Sequence, residues 1–429
     1  MTIYRQLDVP TVINAAGPVT RYGGSCLSRA VLAAMEEATE SYVRLDQLQL
    51  AVGKRLASLA GTQAGYVTSG AAAGLTLGAA AIMAGMDVAR MEQFPDTTGI
   101  PNEFILQRSH CGDYDHAIRA AGAKLVTVDC PEKASRDAIG RSLDSVRTAR
   151  TCGAVYVFRT ADRGVPLEDW VAACHGMGLP VLVDASVRLP PAENLRRIPA
   201  SGADLVAFSG GKAVRGPQGT GLVVGRSDLI ASILLQNQDM DVQRETWFLR
   251  SWLQSENGSP DYRQGGQTSE NVRTETGLVT ASKKLTRPPR NGIGRGMKVS
   301  KENVVGLLVA LEEYLARDHR ADLAAWNHLI DLLARELSAI DGCHVEIDRG
   351  AEATYPVPVG LLRLTQTSRI DLVTFVRECG ALERPVLFEE GPLDKGYLVI
   401  HPMCLSKDDV TSLVSSVRQV LLRPRPFDP

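Results

Sequence analysis

The chain has 429 residues, 44% of them hydrophobic, and its 47 basic and 49 acidic residues leave a formal net charge of -2. This is an ordinary globular composition with apolar content for a large core and two domains. The charge balance excludes an overall positive field that could hold DNA or tRNA and leaves only a local basic patch open. The eight cysteines lack the CxxC spacing of a zinc or redox centre, so no metal is expected and the thiols are read as reduced, in a cytoplasmic protein.

Taken in chain order, MTIYRQLDVPTVINAAG lacks the basic start and apolar core of a secretory signal. Leu56 to Met86 carries no charge and is long enough to cross a bilayer. It is nevertheless built of Ala, Gly, Ser and Thr rather than Leu, Ile and Phe, so no membrane partner is expected. The expectation there is a strand, AGYVTSG, running into a buried small-residue helix, GAAAGLTLGAAAIMAG.

Short apolar runs follow at 103–108 (EFILQR), 124–129 (KLVTVD), 153–158 (GAVYVF), 179–184 (LPVLVD) and 204–209 (DLVAFS). Segments such as YDHAIRAAGA and PLEDWVAACHGMG between them fit crossover helices. The rhythm predicts an α/β fold, a mainly parallel sheet with helices on both faces, with TGLVVGR at 220–226 as a further, candidate antiparallel strand. Past residue 236 the pattern dissolves into a polar stretch containing SENGSPDYRQGGQTSENVRTET. GMKVSKENVVGLLVALEEYL then reads as one long helix, and 320–420 as the helices and short strands of a smaller domain. The tail LLRPRPFDP is too proline-rich to continue a helix.

FSGGKAVRGPQGTG at 208–221 sets one lysine among glycines, as a nucleotide loop or a covalent cofactor site would. The nucleotide loop fails twice, because Val206 stands where its first glycine belongs and Ala213 where a magnesium-holding hydroxyl belongs. A covalent cofactor needs a lysine amine, a carboxylate against a ring nitrogen and helix-end donors for a phosphate. Lys212, Asp184 at the end of LPVLVD, and Ser69-Gly70-Ala71 at a strand-to-helix turn supply these at one carboxyl edge of a parallel sheet. Taken singly, Lys212 is more often a solvated lysine and Asp184 a helix cap. Jointly their chemistry is that of pyridoxal 5'-phosphate.

VINAAGPVTRYGG at 12–24, TSGAAAG at 68–74, HCGDYDHAIRAAGA at 110–123, VDAS at 183–186, SGGKAVRGPQGTG at 209–221 and GIGRGMKVSKENVVGLL at 292–308 together carry a resemblance. The chain resembles the fold type I pyridoxal phosphate enzymes, in the group of bacterial selenocysteine synthase (seryl-tRNA selenium transferase) and D-glucosaminate-6-phosphate ammonia-lyase. The resemblance implies an aminotransferase-like fold with a mainly parallel seven-stranded sheet in a large domain and a smaller α+β C-terminal domain. It implies boundaries at 1–40 (arm and start of the small domain), 41–290 (cofactor domain) and 291–429 (connecting helix and small domain).

It also implies Lys212 as the Schiff-base lysine and general base, Asp184 as partner of the pyridinium nitrogen, and Ser69, Gly70, Ala71 and Ser209 as phosphate donors. His110 is a candidate for stacking on the cofactor ring, with a structural role equally open; His116 reads as a surface residue. Arg21 and Tyr22 lie in a segment expected to bind substrate, across a neighbouring subunit of a homodimer or an assembly of dimers. Arg295, Lys298 and Lys301, spaced by three, would share a helical face and suit an anionic substrate group, although Lys301 fits a solvated helix start better. The family often places a carboxylate-binding arginine where this chain reads RPVLFEEGP, with Phe388 and Glu389; Arg363 is the substitute candidate. The polar stretch at 250–290 exceeds the family's requirement.

The expected activity is a pyridoxal phosphate-dependent lyase that removes ammonia from a small amino acid or amino sugar acid by α,β-elimination, giving a 2-oxo acid. The alternatives are selenium or sulfur transfer to seryl-tRNA, disfavoured by the charge balance, and an aldolase or racemase using the same cofactor chemistry. A cofactor-free nucleotide-binding or scaffold protein is the non-enzymatic alternative.

Overall fold

The structure, a computed structural model, describes residues 2–158, 164–239, 241–249, 287–350 and 357–423. The expectation about the length of the polar stretch therefore falls, from 250 to 286, outside the described residues. The chain divides into two compact units, Leu27–Leu315 and a smaller one formed by Met1–Cys26 with Ala316–Pro429.

Strand β1 (Ile13–Ala15) belongs to the smaller unit. The larger unit is built on β2 (Ala64–Thr68), β3 (Glu103–Gln107), β4 (Lys124–Val128), β5 (Thr151–Val157), β6 (Val181–Asp184), β7 (Leu205–Ser209) and β8 (Gly221–Gly225). They form one seven-stranded sheet in the order β2-β8-β7-β6-β5-β3-β4. β8 runs antiparallel to both neighbours, and all other pairs are parallel. The central strands are buried on both faces, which is why they read as continuous apolar runs rather than as alternating ones.

The small-residue helix is Ala71–Ala84, and its glycines explain its composition. A Cβ on Gly74 would stand 2.7 Å from a Val223 methyl, and one on Gly78 2.9 Å from Leu182, so the helix rests directly on β6 and β8. No helix among the described residues is long and apolar enough to cross a membrane. β2 closes one side of the sheet, where a strand leaves backbone groups unpaired. There the buried Gln49 side chain donates to the Val67 carbonyl at 3.0 Å and accepts the Val67 N–H at 3.1 Å.

The helix expected from Gly296 onward begins only at Lys301 and runs to Ala316. Residues Ile293–Gly296 instead form a 3-10 turn. Asn237 Nδ2 holds that turn by donating to the carbonyls of Gly294 (2.9 Å) and Met297 (3.2 Å), and Gly292 and Gly294 lie against the Gln236–Asn237 backbone too closely for a Cβ.

In the smaller unit, β9 (Cys343–Asp348), β10 (Val359–Leu364) and β12 (Leu398–Ile400) form an antiparallel sheet in the order β12-β10-β9, and β11 (Val386–Phe388) pairs in parallel with β1. Helices His319–Ser338, Leu372–Gly380 and Lys407–Leu421 bury Leu333, Phe375 and Leu413 in a core that also takes Phe388.

Candidate active site

Pairing register brings the candidate residues of the larger unit to one sheet edge. Gly221, at the start of β8, stands opposite both Thr68, the last residue of β2, and Ser209, the last of β7. Ser69-Gly70 and Gly210-Gly211-Lys212 thus leave the sheet from the same row of residues. On the other side of β7, Asp184 pairs with Ala207, and across β6 it stands opposite Val157.

At the first of these exits, Gly70 precedes the helix Ala71–Ala84 at φ +125°, a conformation that favours glycine. A Cβ there would meet nothing within 4 Å, so the space before the helix is open. Thr68 Oγ1 donates to the Gly70 carbonyl at 2.8 Å and holds the turn. A Cβ on Gly221 would lie 2.6 Å from the Ala71 nitrogen, so β8 supports the helix end from beneath. The first amides of a helix lack intrahelical acceptors and carry the positive end of its dipole, which suits a phosphate.

At the second exit the loop folds back on itself. Gly210 N–H donates to the Thr220 carbonyl and Gly216 N–H to the Gly210 carbonyl, both at 2.9 Å. A Cβ on Gly210 would stand 2.4 Å from Thr220 Oγ1, and one on Gly211 2.6 Å from the Gln218 Cα, which is the local reason for paired glycines before the lysine. Burial pushes the Lys212 ammonium below the ordinary lysine range, and the charge of Asp184 pulls it partly back. Asp184 is itself buried, and its Oδ1 accepts the Ser186 N–H at 2.9 Å.

His110 ends a 3-10 turn that follows β3, and it is 3% exposed. Its Nδ1 accepts the Val157 N–H at 3.4 Å, and its ring meets Tyr156 edge-to-face, with centroids 4.5 Å apart. The imidazole thus lies over the end of β5, beside the strand that carries Asp184. His116 is exposed on the short helix Asp115–Arg119.

Arg295 sits in the 3-10 turn and pairs with Asp239 at 3.0 Å, Lys298 is exposed in the segment after it, and Lys301 begins the helix, paired with Glu302 at 2.6 Å. The shared helical face expected of them does not form, because the Asn237 bonds hold the segment out of the helix.

Arg21 and Tyr22 belong to the smaller unit. There Arg21 lies over the Tyr22 ring at 4.9 Å, donates to the Phe388 carbonyl at 3.3 Å and pairs with Glu390 at 3.6 Å. Phe388 is a core residue. Arg363 stacks over Tyr397 at 4.6 Å and donates to the Gly396 carbonyl at 3.4 Å.

Sequence reasoning passed over Gln107, Tyr156 and Arg188. Arg188 is fully buried, its guanidinium lies 4.6 Å from the Phe158 centroid, and burial pushes its pKa down to about 10. The available signal was polarity. Gln107 closes the apolar run EFILQ at the same carboxyl edge, and Arg188 follows VDAS.

A helix end left open by glycine, and a half-buried amine at the same sheet edge as a buried carboxylate, fit pyridoxal 5'-phosphate: Lys212 would hold its carbonyl carbon, Asp184 its ring nitrogen, and the Ser69-Gly70-Ala71 turn with Ser209 its phosphate.

The family model described as aminotransferase class-V matches residues 159–247. The chain is 29% identical over 428 residues to a 5'-C-glycyluridine monooxygenase-decarboxylase of Streptomyces sp, covering 98% of this chain and 92% of that one. It is 29% identical over 354 residues to D-glucosaminate-6-phosphate ammonia lyase of Salmonella typhimurium, covering 81% and 78%. It is also 29% identical over 263 residues to L-seryl-tRNA(Sec) selenium transferase of Rhizobium meliloti, covering 61% and 47%. The solved structure of a D-glucosaminate-6-phosphate ammonia-lyase superposes with a TM-score of 0.74 at 26% identity, covering 98% of each chain.

Proposed function

We propose that this chain, a pyridoxal phosphate-dependent enzyme of the fold type I, aminotransferase-like class, is an ammonia-lyase acting on a small anionic amino acid or amino sugar acid. The observation that carries the reading is the placement of Lys212 and Asp184 at the sheet edge that also holds the open helix end, with the charge of Asp184 acting on the Lys212 ammonium. The likeness to D-glucosaminate-6-phosphate ammonia-lyase in sequence and structure supports the reaction class.

Bound pyridoxal phosphate supplies an electron sink for the pair left behind when a bond to the substrate's α carbon breaks. The chain's own groups do the rest. Asp184, as a carboxylate, would hold a pyridinium nitrogen in its protonated form. Lys212, its pKa lowered by burial, offers Nζ as a neutral base at lower pH than a solvated lysine would, and takes the α proton there. The amides at Ser69-Gly70-Ala71 and the Ser209 hydroxyl would hold the phosphate, and His110 would lie against the ring. Elimination of the β substituent followed by hydrolysis releases ammonia and a 2-oxo acid.

One relative, matched over 98% of this chain, is named a 5'-C-glycyluridine monooxygenase-decarboxylase, which favours a second reading: with dioxygen as co-substrate, the bond broken at the α carbon is the one to the carboxylate. Ammonia with a 2-oxo acid, or carbon dioxide with oxygen uptake, separates the two.

Self-association belongs to the reading. Ile3, Tyr4, Leu7 and Val9 of the smaller unit are 50% to 65% exposed, an apolar run that a second copy would cover, with Arg21 and Tyr22 completing its site. The deciding experiment is reconstitution with pyridoxal 5'-phosphate. A visible band at roughly 410–430 nm should form, borohydride should abolish it, and peptide mapping should find the reduced adduct on Lys212. A label on another lysine, or none, removes the reading.

A further inference from the structure

Gln107, the last residue of β3, is 1% exposed, and its Oε1 accepts the Val165 N–H at 2.9 Å. From the neighbouring strand, the Tyr156 hydroxyl donates to the Val165 carbonyl at 3.2 Å. Val165 is thus held at both its N–H and its C=O by two buried side chains. The consequence falls on the residue before it. A Cβ on Gly164 would stand 2.5 Å from Gln107 Oε1, 3.0 Å from His110 Nε2 and 3.0 Å from Ser109 Oγ, and its φ of +105° lies where side chains are strained. The glycine backbone therefore closes against the imidazole as nothing larger could.

The other side of His110 is set by Tyr156, edge-to-face at an interplanar angle of 78°, and by the Val157 N–H on Nδ1. A backbone N–H can only donate, so Nδ1 carries no proton in this arrangement, and the neutral ring holds its proton on Nε2, toward Gly164.

We infer that Gln107 and Tyr156 are positioning residues for His110, acting through the Gly164–Val165 peptide that they hold between them. The inference rests on His110 belonging to the cofactor site proposed above. It assigns His110 a fixed ring that presents a face, with Nδ1 accepting from Val157 and Nε2 turned toward Gly164, and leaves proton transfer to Lys212.

The test uses Gln107→Met, which keeps the shape and removes the acceptor, and Tyr156→Phe, which keeps the ring and removes the hydroxyl. In the cofactor-free protein labelled with 15N-histidine, the His110 signal, assigned by its loss in His110→Phe, should report a single tautomer protonated on Nε2. It should shift toward the tautomer average in each variant. In the loaded protein the visible circular dichroism band should change, and kcat should fall on the order of tenfold while KM stays within about twofold. Adding either change to His110→Phe should cost no further activity. Losses that multiply in the double variants, or an unmoved tautomer signal, overturn the inference. Should Gln107→Met fail to fold, Tyr156→Phe, which removes one oxygen atom, carries the test. Absence of label on Lys212 breaks the cofactor reading instead, and the tautomer signal of the cofactor-free protein still decides this one.

Discussion

Two buried aspartates mark opposite edges of the same sheet. Asp184 ends β6 at the carboxyl edge, and Asp204 precedes β7 at the amino edge. Asp204 is stitched in on every side: it accepts from His175 Nε2 at 2.8 Å, from Arg226 Nη1 at 2.8 Å and from the Val181 N–H at 2.7 Å. Burial works to raise its carboxyl, but those bonds prevail and hold it below the usual carboxylate range. Asp184 faces a lysine whose own charge is disfavoured by burial. The first arrangement satisfies a charge to hold strands together. The second keeps a carboxylate and an amine in tension, as catalytic sites do.

The comparison breaks most visibly if Asp184→Asn is harmless. An amide cannot hold a ring nitrogen protonated, so kcat should fall on the order of a thousandfold while Lys212 is still labelled and stability barely changes. Near-normal turnover, measured by ammonia release, would remove the contrast between the edges.

The reverse holds for Asp204→Asn. Breaking a buried, bonded charge set should cost about 3 kcal/mol in urea unfolding, with kcat of the remaining folded protein within about twofold of normal. A large loss of kcat at unchanged stability would give the amino edge a catalytic role.

The smallest effect sharpens the picture through pH. The bond to Asp204 raises the His175 pKa above its ordinary 6.5. The folded state thus binds the proton more tightly, so this contribution is complete below about pH 6.5 and fades as pH rises through the folded value. His175→Ala should flatten the decline in the urea midpoint above that pH. An unchanged slope would show that the proton is held elsewhere.

The strands were legible because a strand buried on both faces must be apolar without interruption, as LPVLVD and DLVAFS are. The glycine runs were legible for the same reason of space, with Gly210 and Gly211 folding the chain onto Gln218 and Thr220. The segment GRGMKVSK misled because a spacing of three describes a helix only where the backbone is free to form one. Here the Asn237 side chain takes the carbonyls of Gly294 and Met297, and Arg295 lies in a 3-10 turn outside the helix that Lys301 begins. Polarity at the end of EFILQ marks Gln107 in the sequence, but its partner does not show there, since Val165 is 58 residues away.

By itself, then, the sequence determined which segments would be strands, that a lysine and an aspartate would leave the same kind of sheet edge, and that a small-residue helix would be buried, since each follows from local apolarity and the size of side chains. Only the tertiary structure decided that Thr68, Gly221 and Ser209 share one row, that Lys212 lies close enough to feel Asp184, and that the imidazole of His110 is clamped, because strand order and register arise from pairings between distant segments.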